Sequence, residues 1–202
     1  IYDQIEAQLA TDAFRPRALF DGFNIELLAT TEGALDDLKW HKMIAESGWQ
    51  GRVITTYRPD AVVDPEFEGF AQNLRDFGDV TGEDTRNWSG YLAAHRKRRA
   101  FFREHGATAT DHGHPSAHTA NLSSTDAEAL FNKINSGYFN ATEAEEFRGQ
   151  MLTEMAKMSL DDGMTMQIHG GSRRNTNHAV LSQFGRDKGA DIPVAGDWVR
   201  GL

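Results

Sequence analysis

Short apolar runs and longer helical stripes take turns along this chain, separated by glycine, proline and acidic breaks. Ile1, Ile5 and Leu9 recur every four positions, so residues 1–22 read as helical. Pro16 sits in the first turn of a second short helix, and Gly22 closes it. Asn24–Thr30 reads as a strand, with Thr30-Thr31-Glu32-Gly33 as its exit turn. Leu35–Glu46 reads as a helix that buries Leu35, Leu38, Ile44 and Ala45 on one stripe. The rhythm then repeats: Arg52–Tyr57 is β-branched and strand-like, and it ends in Arg58-Pro59-Asp60. Asp64 before Pro65 predicts a helix start, with Phe67, Phe70 and Leu74 on its apolar face.

The second half continues in the same way. Asn87–His105 is helical, with Trp88, Leu92 and Phe102 on the packing side, and Gly106 stops it. Ala107–Thr110 is a third strand, leaving through Asp111-His112-Gly113-His114-Pro115. Thr125-Asp126-Ala127-Glu128 and Thr142-Glu143-Ala144-Glu145 have the capping-box spacing, and each is expected to open a helix. The second helix carries Met151, Leu152, Met155 and Met158, a stripe that reads as core rather than as a cofactor site. Met164–Ile168 suits a buried strand delivering His169 into Gly170-Gly171-Ser172-Arg173-Arg174-Asn175. Phe184–Leu202 reads as glycine-rich loop followed by the first turns of a helix.

Four strands, each followed by helical sequence, call for an α/β fold with a parallel sheet and helices outside it. Parallel strands place their carboxyl ends on one side. Thr31-Glu32, Arg58 with Asp60, Asp111-His112 with His114, and His169 with Arg174 are therefore expected to converge at one rim. The expected organisation is a single domain over 1–202. Within it, 23–60 carries two strand–helix units, 61–115 helices and the third strand, 116–162 a helical insertion, and 163–202 the fourth strand and tail.

The 202 residues suffice for a core, and a net charge of −9 argues against general nucleic-acid binding, which needs a basic surface. A small anionic ligand answers to local arginines instead. With no cysteine, disulfides and thiolate metal sites are excluded, and a cytoplasmic location is permitted. No apolar run is long enough for a membrane span and no signal-peptide pattern opens the chain. A start at Ile1 and an end at Leu202 read as an internal segment of something longer.

Two histidines at i, i+2 on a strand end, His112 and His114, point to one side and can share a divalent metal, but no third ligand stands at a tight spacing. They read equally as hydrogen-bonding groups in a turn fixed by Asp111 and Pro115. Arg96-Lys97-Arg98-Arg99 with Arg103 spreads around a helix and reads as a solvated face. Ser172 lacks a nucleophile-elbow context, and no Walker-type or dinucleotide glycine loop is present.

Phe14-Arg15-Pro16-Arg17, Thr30-Thr31-Glu32, Tyr57-Arg58-Pro59-Asp60, Asp111-His112-Gly113, Gln167-Ile168-His169 with Gly171 and Arg174-Asn175, and Asp187–Asp191 occur in the order found in one family. Over nearly its whole length the chain resembles uronate (glucuronate) isomerase, of the amidohydrolase superfamily. The resemblance implies part of a (β/α)8 TIM barrel, strands two to five, with outer helices and helical insertions; a complete barrel takes about 250 residues or more. It implies interconversion of D-glucuronate with D-fructuronate, and of D-galacturonate with D-tagaturonate, by proton transfer between C1 and C2 through a cis-enediol. A divalent metal, usually zinc, belongs to the intact family enzyme. Its principal ligands, a His-x-His pair after the first strand and an aspartate after the eighth, have no counterpart here, so no metal ligand is assigned. Arg58 and Arg174 match pocket arginines suited to a carboxylate, and His169 matches a catalytic histidine after the fifth strand. Asp111 and His112 match the fourth-strand turn, with His114 beside it, as substrate-binding residues. Gly170 and Thr176 depart from the family pattern, and the extra glycine is expected to loosen the turn. The partners implied are a small uronate and neither nucleic acid nor membrane. Negligible turnover by this chain alone and association through open sheet edges are also expected. Two other readings stand beside this one: a non-catalytic module binding an anionic sugar, and another metal-dependent barrel using His112, His114 and His169.

Overall fold

Residues 1–202 are described by a computed structural model. The chain opens with α1 (Tyr2–Leu9), a short 3-10 turn at Asp12–Phe14 and α2 (Pro16–Gly22). The expected Ile1–Ile5–Leu9 stripe exists on α1 but buries nothing: these residues are 93%, 54% and 61% exposed. Periodicity makes a helix amphipathic; only a neighbour makes it buried.

The first strand, β1, runs Leu28–Gly33, later than the sequence pattern indicates. The threonines and Glu32 assigned to an exit turn pair in register with β2 (Val53–Arg58), from Leu28 opposite Val53 to Gly33 opposite Arg58. Backbone pairing with a β-branched neighbour overrides their polarity. Between them lies α3 (Lys39–Glu46), shorter than the 35–46 stripe; Asp36 accepts from the amide of Leu38, which occupies the left-handed region at φ 54° and is fully buried.

Asp64-Pro65 does not start a helix. A four-residue turn, α4 (Asp60–Val63), precedes it, and the next helix, α5, begins only at Phe70 and runs to Thr81. The Asp64 Oδ1 accepts both from the Glu66 amide at 3.1 Å and from Arg148 at 2.7 Å, so the local backbone contact is shared with a tertiary ion pair and no helix follows directly. α6 (Trp88–Glu104) is capped by Asn87, whose side chain accepts from the amide of Gly90 at 2.9 Å. The basic run on α6 is only half solvated. Arg96 and Lys97 are exposed, whereas Arg98 and Arg99 are 6% and 1% exposed. Arg98 donates to the carbonyls of Ala34 and Asp36, and Arg99 forks onto Asp162.

β3 (Ala109–His112) follows, then α7 (Ser124–Asn135) and α8 (Ala141–Asp162). Both helices begin two residues earlier than their sequence signatures. Ser123 caps α7 through the amide of Asp126, and Asn140 with Glu143 forms the reciprocal capping box of α8. Met151, Leu152, Met155 and Met158 are all buried, as the stripe on α8 requires. Each such side chain contributes roughly 1.5–3 kcal/mol by leaving water.

The last strand of the main sheet, β4, is Thr165–Ile168. The sheet order is β1-β2-β3-β4, all parallel, so β4 is an edge rather than a buried strand. The tail is more structured than a glycine loop: β5 (Ser172–Arg173) pairs antiparallel with β6 (Ile192–Pro193) around α9 (His178–Phe184), and α10 (Trp198–Gly201) ends the chain.

Strand alternation divides the sheet into two faces. Thr55, Tyr57, Thr110 and His112 are buried on the face that meets α6, where the Tyr57 hydroxyl lies 2.9 Å from His95 Nδ1. The core gathers there: Tyr91 stacks on Phe131 at 4.7 Å and 18°, and its hydroxyl donates to the Val62 carbonyl. Ala29, Thr31, Gly33, Thr165, Gln167 and His169 belong to the opposite face and are exposed. Thr56, on that face of the central β2, is 6% exposed, so the sheet is covered on one side and open toward β1 and β4 on the other, with two free edges. No helix is long and apolar enough to cross a membrane.

Candidate functional site

The carboxyl ends of β2, β3 and β4 meet as the parallel order requires. Arg58 is the last residue of β2 and points to the open face. Its Nε donates to Asp60 Oδ2 at 2.7 Å, and its Nη1 lies 3.7 Å from Asp111 Oδ2 on β3. Asp111 Oδ1 in turn lies 3.0 Å from Nε2 of His169, just beyond β4. One carboxylate therefore links an arginine on one strand to a histidine two strands away. Burial works against the Arg58 cation, yet Asp60, Asp111 and Asp187 hold its pKa above the usual arginine value. The His169 ring is itself exposed, so its edge away from Asp111 is open to a ligand.

Beside this chain of contacts lies a cavity of ≈ 310 Å³, lined by Arg58, Asp60, Gly113, His114 and, from the tail, Arg174 and Asp187. The two arginines singled out from the sequence thus reach one cavity although 116 positions separate them in the chain. Arg174 is held by Asp191 at 3.3 Å and Asp187 at 3.9 Å. Arg186, which the sequence pattern did not single out, lines the same cavity; its guanidinium lies 5.2 Å from the centre of the Phe67 ring and 3.6 Å from Glu68. Its only signal was a cation in a glycine-rich loop, which says nothing about where the loop folds. A wider groove of ≈ 520 Å³ between α5 and α7 is lined by Phe70, Leu74, Ile134 and Phe139, and Arg75 is its only charged side chain.

The histidine pair separates in role. His114 lines the cavity, is 4% exposed and has no partner for either ring nitrogen. His112 lies off the cavity, fully buried on the helix-covered face, with Nε2 2.9 Å from Thr110 Oγ1. Its expected place among the cavity residues is corrected by the parity of β3: Asp111 faces the open side, so His112 faces the core. The two rings meet edge to face at 5.9 Å. Burial lowers the pKa of both, with Asp60, Asp64 and Glu145 opposing the shift at His114. No group of three or more His, Asp or Glu side chains is placed to hold a metal ion. His169 is committed to Asp111 rather than to the other two histidines.

The departures at 170 and 176 acquire reasons. A Cβ on Gly170 would lie 3.2–3.3 Å from the backbone of His114 and Ser116, so this glycine packs a tight crossing instead of loosening the turn. The Thr176 hydroxyl donates to the Ala190 carbonyl and fastens the tail loop.

The glucuronate isomerase family model matches residues 1–200. Uronate isomerases of Mesorhizobium japonicum and Rhizobium meliloti are 62% and 60% identical to the chain over all of its length. The glucuronate isomerase of Caulobacter crescentus superposes with a TM-score of 0.94 at 58% identity, over 99% of this chain and 42% of that one. The uronate isomerase of Thermotoga maritima does so at 0.87 and 27%, over 93% of this chain and 42% of its own. The chain spans less than half the length of the relatives it matches, 43% of the first two. With four parallel strands in the sheet, an arginine-lined cavity at their carboxyl ends and a family match from end to end, the chain belongs to the glucuronate isomerase family and is similar to one segment of its barrel.

Proposed function

We propose that the chain forms the uronate-binding wall of an aldose–ketose isomerase that interconverts D-glucuronate and D-fructuronate, and D-galacturonate and D-tagaturonate, in cytoplasmic uronate catabolism. The observation that carries this reading is the convergence of Arg58 and Arg174 on one cavity beside the Asp111–His169 pair. The names of the relatives support an isomerase acting on a uronate. Arg58 and Arg174 bind the carboxylate, each supplying hydrogen bonds as well as charge. His169, oriented by Asp111, accepts a hydrogen bond from a sugar hydroxyl and fixes the carbon chain relative to the carboxylate. His114 offers an unpartnered ring nitrogen to a second hydroxyl. The divalent metal implied by the family, zinc, is assigned to the part of the relatives that this chain does not cover.

Binding tests this reading directly. Titrating the 202-residue chain with D-glucuronate by calorimetry is expected to give saturable binding, with D-glucose binding far more weakly. Arg58→Ala or Arg174→Ala is expected to weaken glucuronate binding about tenfold to a hundredfold, the range for a charged hydrogen bond. Equal binding of glucose, or unchanged affinity in both variants, overturns the reading. Turnover by this chain alone is expected to be negligible in a coupled isomerase assay.

The outer edges of β1 and β4 carry no strand partner. Leu28 on β1 is 44% exposed, and Ile25 and Phe23 just before it are 36% and 73% exposed. We expect the isolated chain to self-associate through these edges, seen as concentration-dependent mass in sedimentation. A monomer at all concentrations contradicts this.

A further inference from the structure

The family resemblance names Asp60 in a motif without giving it a role, yet this residue joins the ends of two strands. Its Oδ2 accepts from Arg58 Nε at 2.7 Å. Both of its oxygens lie within reach of the Gly113 amide just beyond β3, at 3.1 and 3.2 Å. The carboxylate is 13% exposed, so water competes weakly for these bonds. A guanidinium gripped at Nε keeps its rotation fixed; Nη1 lies 3.7 Å from Asp111 Oδ2, and neither Nη group donates a hydrogen bond within the chain. Gly113 completes the arrangement by having no side chain. A Cβ there would lie 2.3 Å from Arg58 Nη2, 2.6 Å from Asp60 Oδ2 and 3.0 Å from His169 Cε1. The arginine, the aspartate and the histidine occupy the space that any other residue at 113 would fill.

The geometry assigns to Asp60 the role of a positioning residue: seated on the Gly113 amide, it fixes the Arg58 guanidinium so that its Nη groups present a preformed fork to an anionic ligand. Asp60 acts through Arg58 and need not touch the ligand. The assignment deepens the uronate-binding reading and rests on it for the identity of the ligand, but the orientation of Arg58 is measurable without one. In the alternative role, Asp60 is only a strand-to-strand tie. That role would survive replacement by asparagine, whose carbonyl still accepts from the Gly113 amide.

The test uses the 202-residue chain with ¹⁵N-labelled arginine. In the parent, the Arg58 Nε–H, identified by its loss in Arg58→Lys, is expected to be slow to exchange with solvent. In Asp60→Asn the Nε–H is expected to exchange at least about tenfold faster, with glucuronate affinity about tenfold weaker, while thermal stability stays close to that of the parent. Asp60→Glu, which keeps the acceptor charge on a longer arm, is expected to recover part of both. Gly113→Ala is expected to release the same Nε–H without altering any charge, and it serves as the second variant should Asp60→Asn not fold. Retained protection in both Asp60→Asn and Gly113→Ala overturns the assignment, as does parent-like glucuronate affinity in a folded Asp60→Asn. If the parent binds no glucuronate while the exchange pattern holds, the uronate reading fails and the positioning of Arg58 by Asp60 stands.

Discussion

Acidification from pH 7 to pH 5 is expected to cost this chain up to about 6 kcal/mol of stability. His95, His112 and His114 are buried without charge. Burial is the largest cause of the shift in each; it lowers His95 to about 3 and holds His112 well below its ordinary value of 6.5. In the unfolded chain each takes a proton as pH falls through 6.5, whereas in the folded chain it does not. A base with a depressed folded pKa adds stability above 6.5 and loses it as pH falls through the window beneath that value. With three such groups the slope reaches at most about 4 kcal/mol per pH unit, against a total stability of about 5–15 kcal/mol for a typical domain. At lower pH the carboxylates of Asp162 and Glu145 add to the loss. Burial raises their pKa values, but Arg99 for Asp162, and Ser116 with Arg148 for Glu145, outweigh it and leave both below the usual range. Carboxylates so depressed contribute stability above their unfolded pKa values, which is lost on further acidification. Melting curves between pH 5 and 7.5 check this, and a melting temperature independent of pH over that range contradicts it. His95→Gln is expected to remove about a third of the slope.

Arg99→Ala is expected to destabilise the fold by about 3–5 kcal/mol, the usual cost of breaking a buried ion pair from one side. Arg99 is 1% exposed, and its fork donates Nε to Asp162 Oδ2 at 2.6 Å and Nη2 to Asp162 Oδ1 at 2.9 Å. Nη2 also donates to Ser159 Oγ at 2.9 Å, and Nη1 lies 3.8 Å from the Met155 sulfur. Asp162 meanwhile accepts from the Met164 amide at 3.0 Å, at the entry to β4. One side chain thus ties the middle of α6 to the last turn of α8 and to the edge strand that carries His169. Truncation leaves a void and an unpaired carboxylate that is only 17% exposed. Arg99→Lys keeps the charge but not the two-pronged geometry, so it is expected to recover only part of the loss. Urea unfolding midpoints measure both effects. A loss below about 1 kcal/mol for the alanine variant would show that the pair adds little beyond its desolvation cost.

The same residue shows where sequence reasoning stops. The run Arg96–Arg99 reads as a solvated face because nothing in the sequence says what faces α6; Asp162, 63 positions away, decides that Arg99 is interior. Asp64 is similar. Local chemistry makes it a helix cap, and Arg148, 84 positions on, makes it an ion-pair partner. The helices α6 and α8 were legible with much of their buried faces, Trp88 and Phe102 on α6 and Met151, Met155 and Met158 on α8, because propensity and periodicity are local. The strands were found but displaced, since β1 is defined by its register with β2 and not by its own hydrophobicity. Arg58, Asp111 and His169 could be named from strand-end position, and their contacts follow from strand parity once the sheet order is known. Asp60 was visible at the same strand end but not in its role, and Arg186 carried no comparable signal, because these roles depend on a glycine amide and an aromatic ring brought near by folding.

By itself the sequence determined the alternation of strands and helices, the parallel sheet, the absence of thiol chemistry and the arginine and histidine types at the strand ends. These depend on neighbours a few residues away or on composition, which the chain carries before it folds. Only the tertiary structure decided that His112 belongs to the core while His114 borders the cavity, and that Arg58 and Arg174 share one cavity. It also decided that one sheet face stays open toward β1 and β4. Those outcomes depend on which surfaces meet, a property of packing between residues far apart in the chain.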